Sequence, residues 1–244
     1  MSQTGVTSFE DLSPGPERVR RWLRFGLLGV LGADEAGGRR HLLVLRFGVL
    51  NTVALALLAA AWLHGWVGVV LANDVTGLVR VIALVFLAGL ALGAYRTAQT
   101  SRELDEADAP RPAAAARVAA YCRDVAGRDG QSRAIAAAAL RLRLAARIAA
   151  VRHLASSLVV LGLIGTVIGF IVALSGVDPQ AASDIDAVGP MVSTLIGGMS
   201  IALHTTLVGA VLNVWLMANY RLLEAGTVRL ITAIVARGER HAHA

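Results

Sequence analysis

Charged residues are scarce in this sequence. Asp, Glu, Lys and Arg together make up 16% of its 244 residues, whereas hydrophobic residues make up 56% and the mean hydropathy is +0.63. Ordinary soluble domains carry about 25% charged residues. The composition therefore excludes an ordinary soluble domain and predicts a protein that crosses a membrane several times.

Several features that covalent chemistry would need are also missing. Cys122 is the single cysteine, so an intramolecular disulfide is excluded and a reduced, packed thiol in the cytosol is expected. The sequence has no nucleophile and base with an orienting group, no metal-ligand spacing and no phosphate-binding loop. Neither an enzyme nor a cofactor is therefore expected. Residues 1–16 have no apolar signal-peptide core and are expected to form a cytosolic tail.

Four apolar stretches are present, each long enough for the roughly 20-residue helix that crosses a bilayer. They run from Phe47 to about Ala72, from Leu78 to about Tyr95, from Leu154 to Ser175 and from Pro190 to about Ala218. The polar turn at 73–77 makes the first two a hairpin. The predicted fold class is an all-α integral membrane protein with four transmembrane helices and cytosolic helical extensions.

The arginines predict the orientation in the membrane. Lysine is absent, and 22 of the 23 arginines lie before the first span, between residues 96 and 152, or after the last span, with Arg80 as the exception. The other side has the turn at 73–77 and the loop at 176–189, which holds three aspartates and no basic residue. By the positive-inside rule, both termini are cytosolic. Because the arginines follow the spans, a nucleic-acid-binding face is disfavoured.

Five segments are predicted along the chain. They are a cytosolic N-terminal region at 1–46, a first transmembrane hairpin at 47–95, a cytosolic helical region at 96–153, a second transmembrane pair at 154–220 and a cytosolic tail at 221–244. The basic stretch at 17–31 predicts an amphipathic helix that either lies on the membrane surface or packs against cytosolic helices. No proline or glycine occurs from Gln131 to Leu161, which predicts one continuous helix from the cytosol into the third span.

Small and polar residues follow a helical pattern in the last two spans. They are Gly162, Gly165, Thr166 and Gly169 in the third span and Ala202, Thr206, Gly209 and Asn213 in the fourth. Spacings of three and four residues place each set on one helix face, which predicts close helix packing and a polar stripe. Polar groups at this depth must face protein or water. Bonding of the threonine hydroxyls to carbonyls of their own helix is the structural alternative.

Three motifs in these spans resemble a known family. They are Leu-Gly-Leu-Ile-Gly-Thr-Val-Ile-Gly-Phe at 161–170, Ala-Leu-His-Thr-Thr-Leu-Val-Gly-Ala-Val at 202–211 and Ala-Asn-Tyr-Arg at 218–221. Their order and positions resemble the MotA/TolQ/ExbB proton channel family over about a quarter of the chain. Four spans with a large loop after the second are similar to the MotA-like branch. The resemblance places the chain in the bacterial inner membrane.

The resemblance also implies an assembly and a set of site residues. It implies a homopentamer around a pore that holds two single-span helices of an ExbD, TolR or MotB-like partner, whose intramembrane aspartate carries the proton. In that scheme Thr166 and Thr206 match the pore-facing threonines, and Gly165, Gly169 and Gly209 match the packing glycines. The helical pattern of the residues adds Asn213 to the predicted proton pathway and Gly162 to the predicted packing glycines. Two positions depart from the family pattern. Ile201 stands where a glutamate occurs in TolQ and ExbB, and Trp215 stands where proline is frequent.

The sequence itself supports one part of this scheme, because none of the four predicted spans contains Asp or Glu. The proton-carrying acid must then come from a partner. His204 lies roughly 200° from Thr206 around the helix, so an interhelical hydrogen bond is favoured over proton relay, and Thr205 is a further polar contact. The predicted function is the proton-conducting subunit of an ion-driven motor. The alternatives are a non-conducting membrane scaffold and a stator-like defence component, the second disfavoured by the short segment after Tyr220.

Overall fold

The computed structural model describes residues 42–72, 74, 76–108, 117–177 and 185–242, which form helices and turns without a strand. Six helices follow in order: α1 Leu42–Leu63, α2 Trp66–Ala72, α3 Leu78–Asp108, α4 Arg117–Val125, α5 Gly130–Ser175 and α6 Ile185–Ala242. Of these, α1, α3, α5 and α6 are long and apolar enough to cross a membrane, as the four predicted spans required. The amphipathic helix predicted at 17–31 lies outside the described residues.

The first apolar stretch is not one helix, contrary to the prediction of a span from Phe47 to about Ala72. α1 ends at Leu63, and a separate short helix, α2, begins at Trp66. Gly65 lies between them with a φ of 79°, a left-handed conformation that glycine adopts without steric cost. The break allows the seven residues of α2 to leave the direction of α1.

The second predicted span is part of a longer helix. α3 begins at Leu78, as predicted, but continues beyond Tyr95 to Asp108. Hydropathy falls after Tyr95, yet no proline or glycine follows until Pro110, so nothing in the sequence interrupts the backbone hydrogen bonds. The segment from residue 96 onward therefore starts as an extension of a membrane-capable helix.

The two longest helices are α5 and α6, with 46 and 58 residues. At 1.5 Å per residue they span about 69 and 87 Å, more than twice the ~30 Å hydrocarbon layer. The continuous helix predicted from about Gln131 is present as α5. Asp129 caps its N-terminus by accepting hydrogen bonds from the backbone N–H groups of Gln131 and Ser132. Hydrogen bonds from Ser132 lower the pKa of this exposed carboxyl.

Two hydrophobic clusters hold the helices together. The first joins α3, α5 and α6 in their apolar parts through fully buried side chains such as Ile82, Leu158 and Leu216. The second lies among the extensions of the same helices and α4, around Val125 and Ile234. We call the end of the bundle that holds the second cluster the arginine-rich end, and the end that holds α2 the arginine-poor end.

Candidate functional site

The predicted packing glycines lie where α5 meets α6 within one chain. Gly162, Gly165, Gly169 and Gly209 are all buried there. A β carbon added at Gly169 would lie 2.6 Å from the backbone nitrogen of Ala202, and one added at Gly209 would lie 2.7 Å from the carbonyl oxygen of Leu158. Neither distance leaves room for a methyl group. The two backbones are therefore in direct contact, and side chains larger than hydrogen are excluded at these positions.

Thr166 and Thr206 meet at the edge of this contact. Their hydroxyl oxygens are hydrogen-bonded to each other. Each hydroxyl also lies 3.2 Å from the carbonyl oxygen of Gly162, to which it can donate. Thr206 is exposed on the surface of the chain and Thr166 is half-buried. Because Gly162 has no side chain, its backbone carbonyl is accessible to two hydroxyls from different helices. The carbonyl and the two hydroxyls form a polar patch on an apolar surface.

Thr205 differs from its neighbour Thr206 in its exposure and in the helix that supplies its hydrogen-bond acceptors. Its side chain is 1% exposed and lies directly over Gly165 of α5. Its hydroxyl donates to carbonyl oxygens of its own helix, at Ile201 (2.9 Å) and Ala202 (3.1 Å). Thr205 is therefore a packing residue whose hydroxyl is satisfied locally.

Asn213 and His204 lie on α6 on either side of the threonines. The Oδ1 atom of Asn213 is buried and has no hydrogen-bond partner among the described residues. His204 is half-buried, and its Nδ1 atom lies 3.2 Å from the hydroxyl of Ser200, one turn earlier on α6. This contact lies within α6, so the interhelical hydrogen bond predicted for His204 would use its other ring nitrogen and stays a prediction.

The sequence interpretation missed a polar network that ties α1 to α6. Asn51 donates from Nδ2 to Oδ1 of Asn219 (2.7 Å), and the indole Nε1 of Trp215 donates to Oδ1 of Asn51 (2.9 Å). Asn219 is 1% exposed and also donates to the carbonyl oxygen of Trp215 (3.0 Å). Trp215, noted in the sequence as a departure from a frequent proline, thus supplies a hydrogen-bond donor. The sequence signal that could have indicated this network was Asn51, a lone amide side chain in an apolar stretch.

The comparisons with known proteins add one match. The model of the MotA/TolQ/ExbB proton channel family matches residues 112–235, which include α4, α5 and most of α6 with both threonines. No curated protein and no solved structure matches the chain. Among the described residues, no group of His, Cys, Asp and Glu is arranged to hold a metal ion.

Proposed function

The chain belongs to the MotA/TolQ/ExbB proton channel family, and we propose that it is the proton-conducting subunit of an ion-driven motor complex. In this proposal it uses the proton motive force to do mechanical work through a single-span partner protein, and it catalyses no reaction itself. Each proton that crosses the membrane releases about 2.3 kcal/mol per 100 mV of potential.

The observation that carries the proposal is the exposed threonine pair. Polar groups at membrane depth must face protein or water, because hydrocarbon offers them no hydrogen bonds. Thr206 lies on the outside of a single chain, next to Thr166, which favours a covering surface from another chain or a water-filled pore. Five copies around a central pore would place five such pairs together.

The acid of the proton pathway belongs to the partner in this proposal. The four predicted spans contain no Asp or Glu, so a carboxylate at their depth must come from a different protein. Asn213 does not identify that acid, because its Oδ1 atom is an acceptor that the chain's own atoms cover.

Native mass spectrometry and proton uptake test the proposal together. We expect the full chain, co-purified with a single-span partner that carries an intramembrane aspartate, to have a mass of five chains and two partners. In liposomes with an imposed potential, this complex should take up protons, and replacing the partner's aspartate with asparagine should abolish uptake. A wild-type complex that contains only one or two copies of the chain would contradict the pentameric pore.

The scaffold alternative is favoured by one observation, since both threonine hydroxyls already have partners within the chain. A scaffold would use them only to hold α5 against α6. The two functions separate in the uptake experiment, because a scaffold assembles with its partner and conducts no protons. A wild-type complex that assembles but takes up no protons would therefore contradict the channel function and support the scaffold function.

We also propose that the arginine-rich end faces the cytosol of a bacterium and that both termini lie there, because 22 of the 23 arginines avoid the other side. Cys122 is half-buried, so we expect labelling at introduced cysteines to be clearer after Cys122→Ser. In spheroplasts, an impermeant maleimide should label Thr76→Cys, at the arginine-poor end. It should label Arg141→Cys, on α5, only after permeabilisation; the reverse result would invert the orientation.

A further inference from the structure

A large apolar cavity lies toward the arginine-poor end of the bundle, beside the segment of α6 that follows Thr206. Its volume is about 660 Å³, within the ~300 to 1,000 Å³ that ligand pockets typically have. Its walls come from α1, α2, α3 and α6, and they are hydrophobic almost throughout. No part of the proposed proton pathway among Thr166, Thr206 and Asn213 contributes to them.

The cavity exists because α1 is loosely packed. Only 6% of the residues in its most apolar window are buried, against 28% in each of α3, α5 and α6. The polar network at Asn51 holds α1 to α6, but seven residues further on, about 10 Å along the helix, α1 contributes only Leu58 to the cavity wall. The space between α1 and α2 on one side and α3 and α6 on the other is left unfilled by side chains. In a bilayer, hydrocarbon gains dispersion contacts by filling such a space.

One charged side chain, Arg80, borders the cavity. The part of α3 that lines the cavity runs from Val79 to Leu87, about 12 Å, which is close to the ~15 Å hydrocarbon depth of one leaflet. Arg80 lies at the arginine-poor end of this wall, and 69% of its side chain is exposed. An arginine at such a position can lay its methylene stem along an apolar lining while its guanidinium reaches outward. Arg80 is also the one arginine that departs from the charge asymmetry of the chain.

Asp74 fixes the position of Arg80. Its carboxylate accepts hydrogen bonds from the backbone N–H groups of Val79 and Arg80, both at 3.3 Å, and lies 3.9 Å from the guanidinium Nε of Arg80. The two N–H groups offset part of the carboxylate charge. A guanidinium has five N–H donors, and a single carboxylate oxygen near Nε leaves the paired terminal donors for an anion. A phosphate diester matches this fork.

We propose that this cavity binds one anionic glycerophospholipid of the adjacent leaflet, with an acyl chain between α1 and α3 and its phosphate on Arg80. The lipid and the site match along the membrane normal. The lipid has a phosphate above its acyl chains, and the site has Arg80 at headgroup depth above an apolar lining. The lipid fills the volume that side chains leave open and joins the loosely packed α1 to the rest of the bundle.

Native mass spectrometry with phosphatidylglycerol as the probe tests this site. The full chain in detergent, in whichever oligomer it forms, should retain one phosphatidylglycerol per chain through washing. Ala83→Phe fills the cavity from α3 and should weaken retention at least tenfold, whereas Ala88→Phe, an exposed alanine outside the cavity on the same helix, should bind like wild type. Arg80→Gln should weaken binding about tenfold through loss of a charge-assisted hydrogen bond. Arg141→Gln removes an equal charge at the other end and should have no effect.

Each other outcome contradicts the proposal. If Ala83→Phe and wild type retain equal amounts of lipid, the acyl chain is not in the cavity. If Ala83→Phe changes the number of chains in the assembly and leaves lipid retention intact, the cavity holds a second copy of the chain instead. Because Arg80 is exposed, Arg80→Gln is expected to fold normally, and equal phosphatidylglycerol binding by this variant and wild type would remove the headgroup assignment.

Discussion

Alanine at Gly169 or Gly209 is expected to destabilise the chain by about 1 to 3 kcal/mol, the usual cost of overpacking a filled interior. The added methyl carbons would lie 2.6 Å from the nitrogen of Ala202 and 2.7 Å from the oxygen of Leu158. Both obstacles are backbone atoms, so no side-chain rotation relieves the overlap and α5 must move away from α6. Unfolding of the purified chain by sodium dodecyl sulfate in mixed micelles measures the change.

The matched control for these variants is Gly197→Ala. Gly197 lies on α6 beside the buried Gly198, but a β carbon there would meet no atom within 4 Å. Alanine is also a better helix former than glycine, so this variant should be as stable as wild type or slightly more stable. If Gly169→Ala and Gly209→Ala unfold like Gly197→Ala, α5 and α6 are not in backbone contact. If Gly197→Ala disturbs only the oligomer, Gly197 lies at a contact between chains.

The same glycines show what a sequence pattern can and cannot determine. Their spacing predicts a face without bulk, and α5 presents such a face. The pattern does not say which helix covers it. The structure places α6 of the same chain there, so the first effect of a larger side chain falls on the fold of one chain and reaches the assembly only as a consequence.

How well each helix boundary could be predicted depended on how clear the local sequence signal was. α5 was predictable because no proline or glycine occurs from Gln131 to Leu161 and strong helix formers fill the interval. The continuation of α3 beyond Tyr95 was not predicted, because the fall in hydropathy there marks a change of solvent and leaves the helix intact. The break at Gly65 was missed because a positive φ at one of several glycines in an apolar stretch leaves no mark on hydropathy.

Contacts between distant residues were the least predictable. Asn51 and Trp215 are 164 positions apart, and no periodicity within α1 or α6 indicates that they meet. Thr205 and Thr206 differ by about 100° around one helix, and either could have faced outward. The face of α6 that packs against α5 decides this, because it places Thr205 over Gly165 and leaves Thr206 at the edge beside Thr166.

The different exposure of Thr205 and Thr206 decides which variants test proton conduction. Thr206→Val keeps the shape of the side chain and removes the exposed hydroxyl, so proton uptake by the complex should fall about ten- to a hundredfold if that hydroxyl stabilises the transferring charge. Thr205→Val is a poor control, because Thr205 is buried against Gly165 and a change there acts through packing. Thr52→Val is better matched. Thr52 lies in α1 and donates to the Gly48 carbonyl of its own helix, so its loss should leave uptake unchanged.

A double-mutant cycle with Thr166→Val then separates a proton pathway from a structural contact. Because the two hydroxyls are bonded to each other and to the Gly162 carbonyl, they should act as one unit, so each single variant and the double variant should lose similar amounts of uptake. Assembly, followed by native mass, should persist in all three. Independent losses that multiply in the double variant would show that the hydroxyls act separately. Normal uptake by all three, with the wild type conducting, would mean that protons cross elsewhere and that the threonine pair serves only to join α5 to α6.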